Sequence, residues 1–159
     1  MSDSKIEQVL IIVKPDAIQR RLLGEIVSRI ERKGLDIVGM KMMELGDVIL
    51  DDHYAHHKDK GFYPKLKQYM MSAPVVLMVV AGVEAVSTVR LIVGPTKSRA
   101  ADAGTIRGDL AMSVQTNIVH ASDTTENAKA EIKRFFKDDE ICAAPRHDRG
   151  YIYSDDELV

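Results

Sequence analysis

Gln8-Val9-Leu10-Ile11-Ile12-Val13, closed by Lys14-Pro15-Asp16, sets the frame for the whole chain. The apolar run is rich in β-branched residues and ends in turn-forming ones, so it reads as a central strand followed by a turn. Downstream, Leu23, Ile26, Val27 and Ile30 recur at helical spacing over 22–33, and Gly34 falls in the C-cap position. Residues 35–45 alternate in part and suit a second strand. Residues 47–60 and 63–72 read as two short helices parted by Gly61. Val75–Val80 is a third, buried strand, and 84–93 is helical. Residues 94–112 carry no clean period, and a loop that long inside a compact domain is usually functional. Asn117–His120 reads as a short fourth strand. A helix to about Lys137 follows, capped by Ser122 or Asp123 with Glu126 at capping-box distance. Two β-α-β units in this order predict an α/β (α+β) ferredoxin-like βαββαβ sandwich, a four-stranded antiparallel sheet covered by helices on one face. A small Rossmann-like sheet is the alternative, but no Gly-x-Gly-x-x-Gly follows the first strand.

The 159 residues predict a single domain over 1–159. Acidic residues dominate the end of the chain, so 154–159 read as a C-terminal arm. Lys plus Arg number 22 against 24 Asp plus Glu, a net charge of −2. Without a basic excess, dedicated nucleic-acid binding is disfavoured. The longest uncharged apolar run, Pro74–Val83, is about half a membrane span. The lone Cys142, expected as a buried or half-buried thiol, cannot form an internal disulfide. The polar start Met1–Lys5 and the short run Val9–Val13 do not resemble a signal peptide. A cytoplasmic location is expected.

Several segments carry side chains suited to chemistry. In Asn117-Ile-Val-His120-Ala-Ser122-Asp123, a strand would turn Asn117 and His120 to opposite sides, so both line one pocket only if the strand ends or twists near His120. An imidazole in an ordinary environment titrates near about 6.5 and is mostly a neutral nucleophile at neutral pH. A capping segment with a satisfied histidine accounts for the spacing equally well. Arg107, between Gly104 and Gly108, suits bidentate phosphate recognition; a surface pair with Asp109 is the bland alternative. Lys14 puts an ammonium at the end of the central strand. Arg90 interrupts an apolar helix face and points to an inward cation, or to one that snorkels to solvent. His53 and His57 lie four apart on an expected helix, but with no third ligand nearby they read as a solvated face. Phe62 and Tyr63 could stack a base, although packing is their default. Met40, Met42, Met43, Met70 and Met71 read as core filler.

Three ordered segments together are far more specific: Val13-Lys-Pro-Asp16, Gly104-Thr-Ile-Arg-Gly-Asp109 and Asn117-Ile-Val-His-Ala-Ser-Asp123. On them the chain, from before Lys14 to about Tyr153, resembles the nucleoside diphosphate kinase family. The resemblance implies the ferredoxin-like fold and γ-phosphate exchange between nucleoside triphosphates and diphosphates, with Mg²⁺ carried on the nucleotide and no protein metal site. It makes His120 the phosphorylated nucleophile, supported by Ser122 and Glu131. Lys14, Tyr54, Phe62, Arg90, Thr96, Arg107 and Asn117 fall on nucleotide-binding positions. Within these, Phe62 with Val114 matches a base-stacking clamp. Lys14 and Asn117 match sugar contacts, and Lys14 also helps neutralise the transferred group. Arg90, Thr96 and Arg107 match phosphate contacts. The resemblance further implies a homo-oligomer, a hexamer before a tetramer. An idle nucleotide-binding scaffold or a small-ligand regulatory domain of the same fold would leave His120 and Arg107 without a purpose.

Overall fold

The computed structural model describes residues 5–142 and 146–158. Met1–Ser4 of the polar start and Val159 of the acidic arm lie outside the described residues. Strands β1 (Ile6–Val13), β2 (Asp36–Met43), β3 (Val75–Val83) and β4 (Val119–Ala121) form one sheet in the order β2-β3-β1-β4. Each neighbouring pair is antiparallel, with Val13 opposite Val76 and Ile12 opposite both Leu77 and His120. This is the ferredoxin-like arrangement expected from the sequence.

Helices cover both faces of the sheet, not one. On one face Val9, Ile11 and Val13 pack with Ile26 and Ile30 of α2 (Leu23–Arg32) and with Val86 and Val89 of α5 (Ala85–Val93). On the other, Leu10 and Ile12 pack with Leu50 of α3 (Asp47–His53), Leu66 and Met70 of α4 (Tyr63–Met70), and Ile132 and Phe135 of α7 (Thr125–Phe135). Burial on both sides is why β1 and β3 are near-continuous apolar runs without alternation. Gly34, at φ +95, closes α2 as its position suggested.

Several local expectations change. Lys14-Pro15-Asp16 opens a short helix, α1 (Pro15–Gln19), with Pro at its start, where the missing N–H costs nothing. The 94–112 loop contains a 3₁₀ turn, Ser98–Ala100, and α6 (Ile106–Leu110). The cap of α7 is Thr124, whose hydroxyl accepts from Asn127 N; Asp123 instead takes the Asn127 side-chain amide, leaving Ser122 free for the site. Cys142 is exposed. Of the five methionines expected as core filler, Met70 is fully buried and Met43 half-buried, whereas Met40, Met42 and Met71 are exposed.

Candidate active site

A cleft of about 970 Å³ opens beside the paired ends of β1 and β4. Its lining includes Lys14, Arg107, Asn117 and His120, together with Tyr54, Phe62, Arg90, Thr96, Val114 and Glu131. Of the residues expected at the site, only Ser122 stands behind the wall.

The backbone just before β4 brings the key side chains together. Ile118 is left-handed, at φ 77, an outlier for a β-branched residue. Asn117 therefore precedes the strand and can share the cleft with His120. The break falls at Ile118, two residues before His120, in keeping with the expectation that the strand ends or twists near that histidine. Buried Asn117 accepts from Lys14 Nζ at 2.7 Å and donates to the carbonyls of Val114 and Thr96 at 2.9 and 3.3 Å. Burial, with the Arg107 charge nearby, pulls the Lys14 ammonium down to about 8, while Asp16 opposes the shift.

His120 Nε2 lies 3.1 Å from both oxygens of Glu131. Ser122 Oγ donates to Glu131 Oε2 at 2.5 Å and accepts from Leu10 N at 3.2 Å, anchoring the acid to the central strand. Burial alone would raise the Glu131 carboxyl, but its bonds from His120 and Ser122 win and hold it at about 2. An ionised carboxylate only accepts, so the Nε2 proton of His120 faces Glu131 and Nδ1 is left with its lone pair free.

Arg107 does not pair with Asp109. Its buried guanidinium donates to three carbonyls, Asn117 O at 3.2 Å, Gly94 O at 2.9 Å and Val119 O at 2.6 Å. Burial and the neighbouring Arg90 bring it down to about 10. Asp109 turns away to Arg29 of α2, 2.7 Å off, and to Gly104 N, pinning the loop that carries Arg107. Arg90 is exposed on the cleft wall rather than inward-facing, and Thr96 is also exposed. Phe62 and Val114 are exposed at the cleft, while Tyr63 is buried and donates to Asp51.

His53 and His57 do not share a helix or form a solvated face. His53 ends α3, buried, with its ring edge-to-face against His120 at 4.9 Å. Burial, then the His120 ring, pushes it down to about 3, so it stays neutral. Arg134 Nη1 donates to its Nδ1 at 3.3 Å, which assigns the proton to Nε2. His57 sits instead in the 3₁₀ turn Ala55–His57, edge-to-face with Phe62. The sequence marks His53 but not its place against His120. A histidine three residues after Leu50, on the buried face of α3, was the available signal.

The sequence model of the family described as "Nucleoside diphosphate kinase" matches residues 7–141. A relative of that name from Parabacteroides distasonis is 51% identical, over 96% of this chain and 100% of its own. One from Methanobrevibacter smithii is 47% identical, over 93% of this chain and 99% of its own. Among solved structures, a halophilic nucleoside diphosphate kinase from Halobacterium salinarum in complex with CDP superposes with a TM-score of 0.90 at 40% identity. That match covers 92% of this chain and 98% of the other.

Proposed function

The chain belongs to the nucleoside diphosphate kinase family, and from that premise we propose how its own residues carry the reaction. The activity is transfer of the γ-phosphate of a nucleoside triphosphate, typically ATP, to a nucleoside diphosphate, by a ping-pong route through a phosphohistidine at His120.

The observation that carries the assignment is the chain Leu10–Ser122–Glu131–His120. It fixes the imidazole with Nε2–H toward Glu131, so Nδ1 is the atom that attacks the γ-phosphorus. As the N–P bond forms, the bond to the leaving diphosphate oxygen breaks. Positive charge developing on the ring is shared with Glu131. A second diphosphate then attacks the same phosphorus and frees Nδ1. Lys14, Arg90 and Arg107 neutralise charge on the moving group, Thr96 adds a polar contact to the phosphates, and Lys14 and Asn117 hold the sugar. Phe62 and Val114 clamp the base, while buried Tyr54 lines the wall between the two ends.

Mg²⁺ belongs to this proposal as part of the nucleotide. Among the described residues, the one cluster of metal-ligand type is His53, His120 and Glu131. Its two imidazoles suit a hard, oxygen-seeking ion poorly, so Mg²⁺ is expected on the phosphates, where it neutralises charge. We also infer a single domain over 1–159 with 154–159 as an arm, and a cytoplasmic site of action. Among the described residues no helix is long and apolar enough to cross a membrane. We further infer self-assembly, a hexamer before a tetramer, from the family membership; Met40 and Met42, exposed on the edge strand β2, offer apolar surface to a second copy without selecting between the two assemblies. Initial rates with ATP and GDP varied together test the mechanism: parallel double-reciprocal lines are expected, and intersecting lines would exclude the phosphoenzyme route.

A further inference from the structure

Ile118 holds a conformation that β-branched side chains avoid, and such conformations persist only where the surroundings over-determine them. Its side chain is fully buried, and its backbone is tied on both sides. Ile118 N donates to Asp16 Oδ2 at 3.1 Å, and Ile118 O accepts from Lys14 N at 2.9 Å. Asp16 is itself held, because the Tyr69 hydroxyl donates to its other oxygen. The carboxylate thus spans from α4 to the turn before β4, and both its oxygens are engaged by groups distant in sequence. Without the left-handed turn, a regular strand would place Asn117 and His120 on opposite faces of the sheet.

We propose that Asp16 is a positioning residue for phosphoryl transfer: its carboxylate holds Ile118 left-handed, and so sets Asn117 and His120 against the same nucleotide. It touches no substrate. The inference rests on the reading of His120 as the phosphorylated residue. Asp16 also lies close enough to favour the charge of Lys14, so the test must separate hydrogen bonding from charge.

Asp16→Asn removes the charge but keeps an acceptor for Ile118 N and a donor for the Tyr69 oxygen. Asp16→Glu keeps the charge on a longer arm that misplaces the acceptor. Asp16→Ala removes both. The full chain is mixed with ATP and Mg²⁺, quenched in a single turnover, and phosphohistidine is followed by intact mass. Assayed well below pH 8, where Lys14 keeps its charge without help from Asp16, Asp16→Asn should remain close to the wild-type rate, whereas Asp16→Glu and Asp16→Ala should lose on the order of 10²-fold, the penalty of an ångström-scale misplacement. The strong intraresidue HN–Hα NOE that marks a positive φ should persist at Ile118 in Asp16→Asn and vanish in the slow variants. Loss of global stability alone would leave that contrast absent. If Asp16→Ala fails to fold, the Asn–Glu contrast decides alone. A slow Asp16→Asn beside a fast Asp16→Glu, or wild-type rates in every folded variant, would overturn the proposal. A wild-type chain that forms no phosphohistidine would sink the reading of His120 itself, and this inference with it.

Discussion

Lys14, Arg107 and Asn117, proposed to meet the phosphates and sugar, are 7%, 8% and 2% exposed, and each is tied by hydrogen bonds to another side chain or to backbone. Phe62 and Val114, the proposed base clamp, remain 41% and 47% exposed, and their side chains have no polar group to offer a nucleotide. The contrast separates what the enzyme must fix from what it can leave open. On the proposed reading, the buried charges of Lys14 and Arg107 and the His120 ring held by Glu131 are preorganised, because reorganising them during transfer would cost rate. Arg90 and Thr96 stay exposed on the cleft wall. Apolar surfaces like those of Phe62 and Val114 would grip any π-face without reading its edge. Broad tolerance for nucleobases is the expectation that follows from the proposal.

Variants at the two ends can break or sharpen that contrast. The largest effect belongs to His120→Gln, which removes the nucleophile; turnover should fall at least on the order of 10⁴-fold in a coupled assay. Arg107→Ala comes next, because it strips both a phosphate contact and the partner of three carbonyls. Asn117 O keeps its bond from Val119 N, but taking the donor from the Gly94 and Val119 carbonyls costs about 3 kcal/mol, which in a chain of this size lowers Tm by roughly 6–12 °C. Calorimetry checks the second figure, and an unchanged Tm would show that the phosphate end is less rigidly built than the contacts imply. Phe62→Ala should raise KM about tenfold for every nucleotide, as loss of one stacking contact does, with Tm little changed. A rise confined to one nucleobase would contradict an unselective clamp.

The smallest effect is one of pH. The Lys14 pKa is lowered to about 8, so raising the pH through 8 strips the ammonium of its proton and its charge. kcat/KM, which reports the free enzyme, should therefore fall on an alkaline limb near pH 8. Lys14→Arg should shift that limb to higher pH, since a guanidinium keeps its charge there. A limb that stays in place would assign it to another group.

The framework of this molecule was legible because β1, β3, α2 and α5 are long and strongly patterned, and because Gly34 ends α2 where a glycine should. The site was legible as a set of residue types, but its wiring was not. Local propensity gives no hint that Ile118 is left-handed, since a β-branched residue argues for strand; the contacts from Asp16 and Lys14 override it. The sequence left open a surface pair of Arg107 with Asp109, yet Asp109 is claimed by Arg29, distant in sequence but adjacent in the fold. His53 read as solvated until the sheet face that receives α3 was known. Each miss is a long-range contact overriding a local expectation. The orientation of the His120 ring is of the same kind, set by Glu131 from another element.

The central claim, a transferable phosphoryl group on His120, is tested most directly by intact-protein mass after mixing with ATP and Mg²⁺, and again after excess GDP. One phosphoryl group should appear on the protein, then leave as GTP forms, and His120→Gln should show no gain. No gain in the wild-type chain, a gain that survives His120→Gln, or a phosphoprotein that GDP cannot discharge would contradict it.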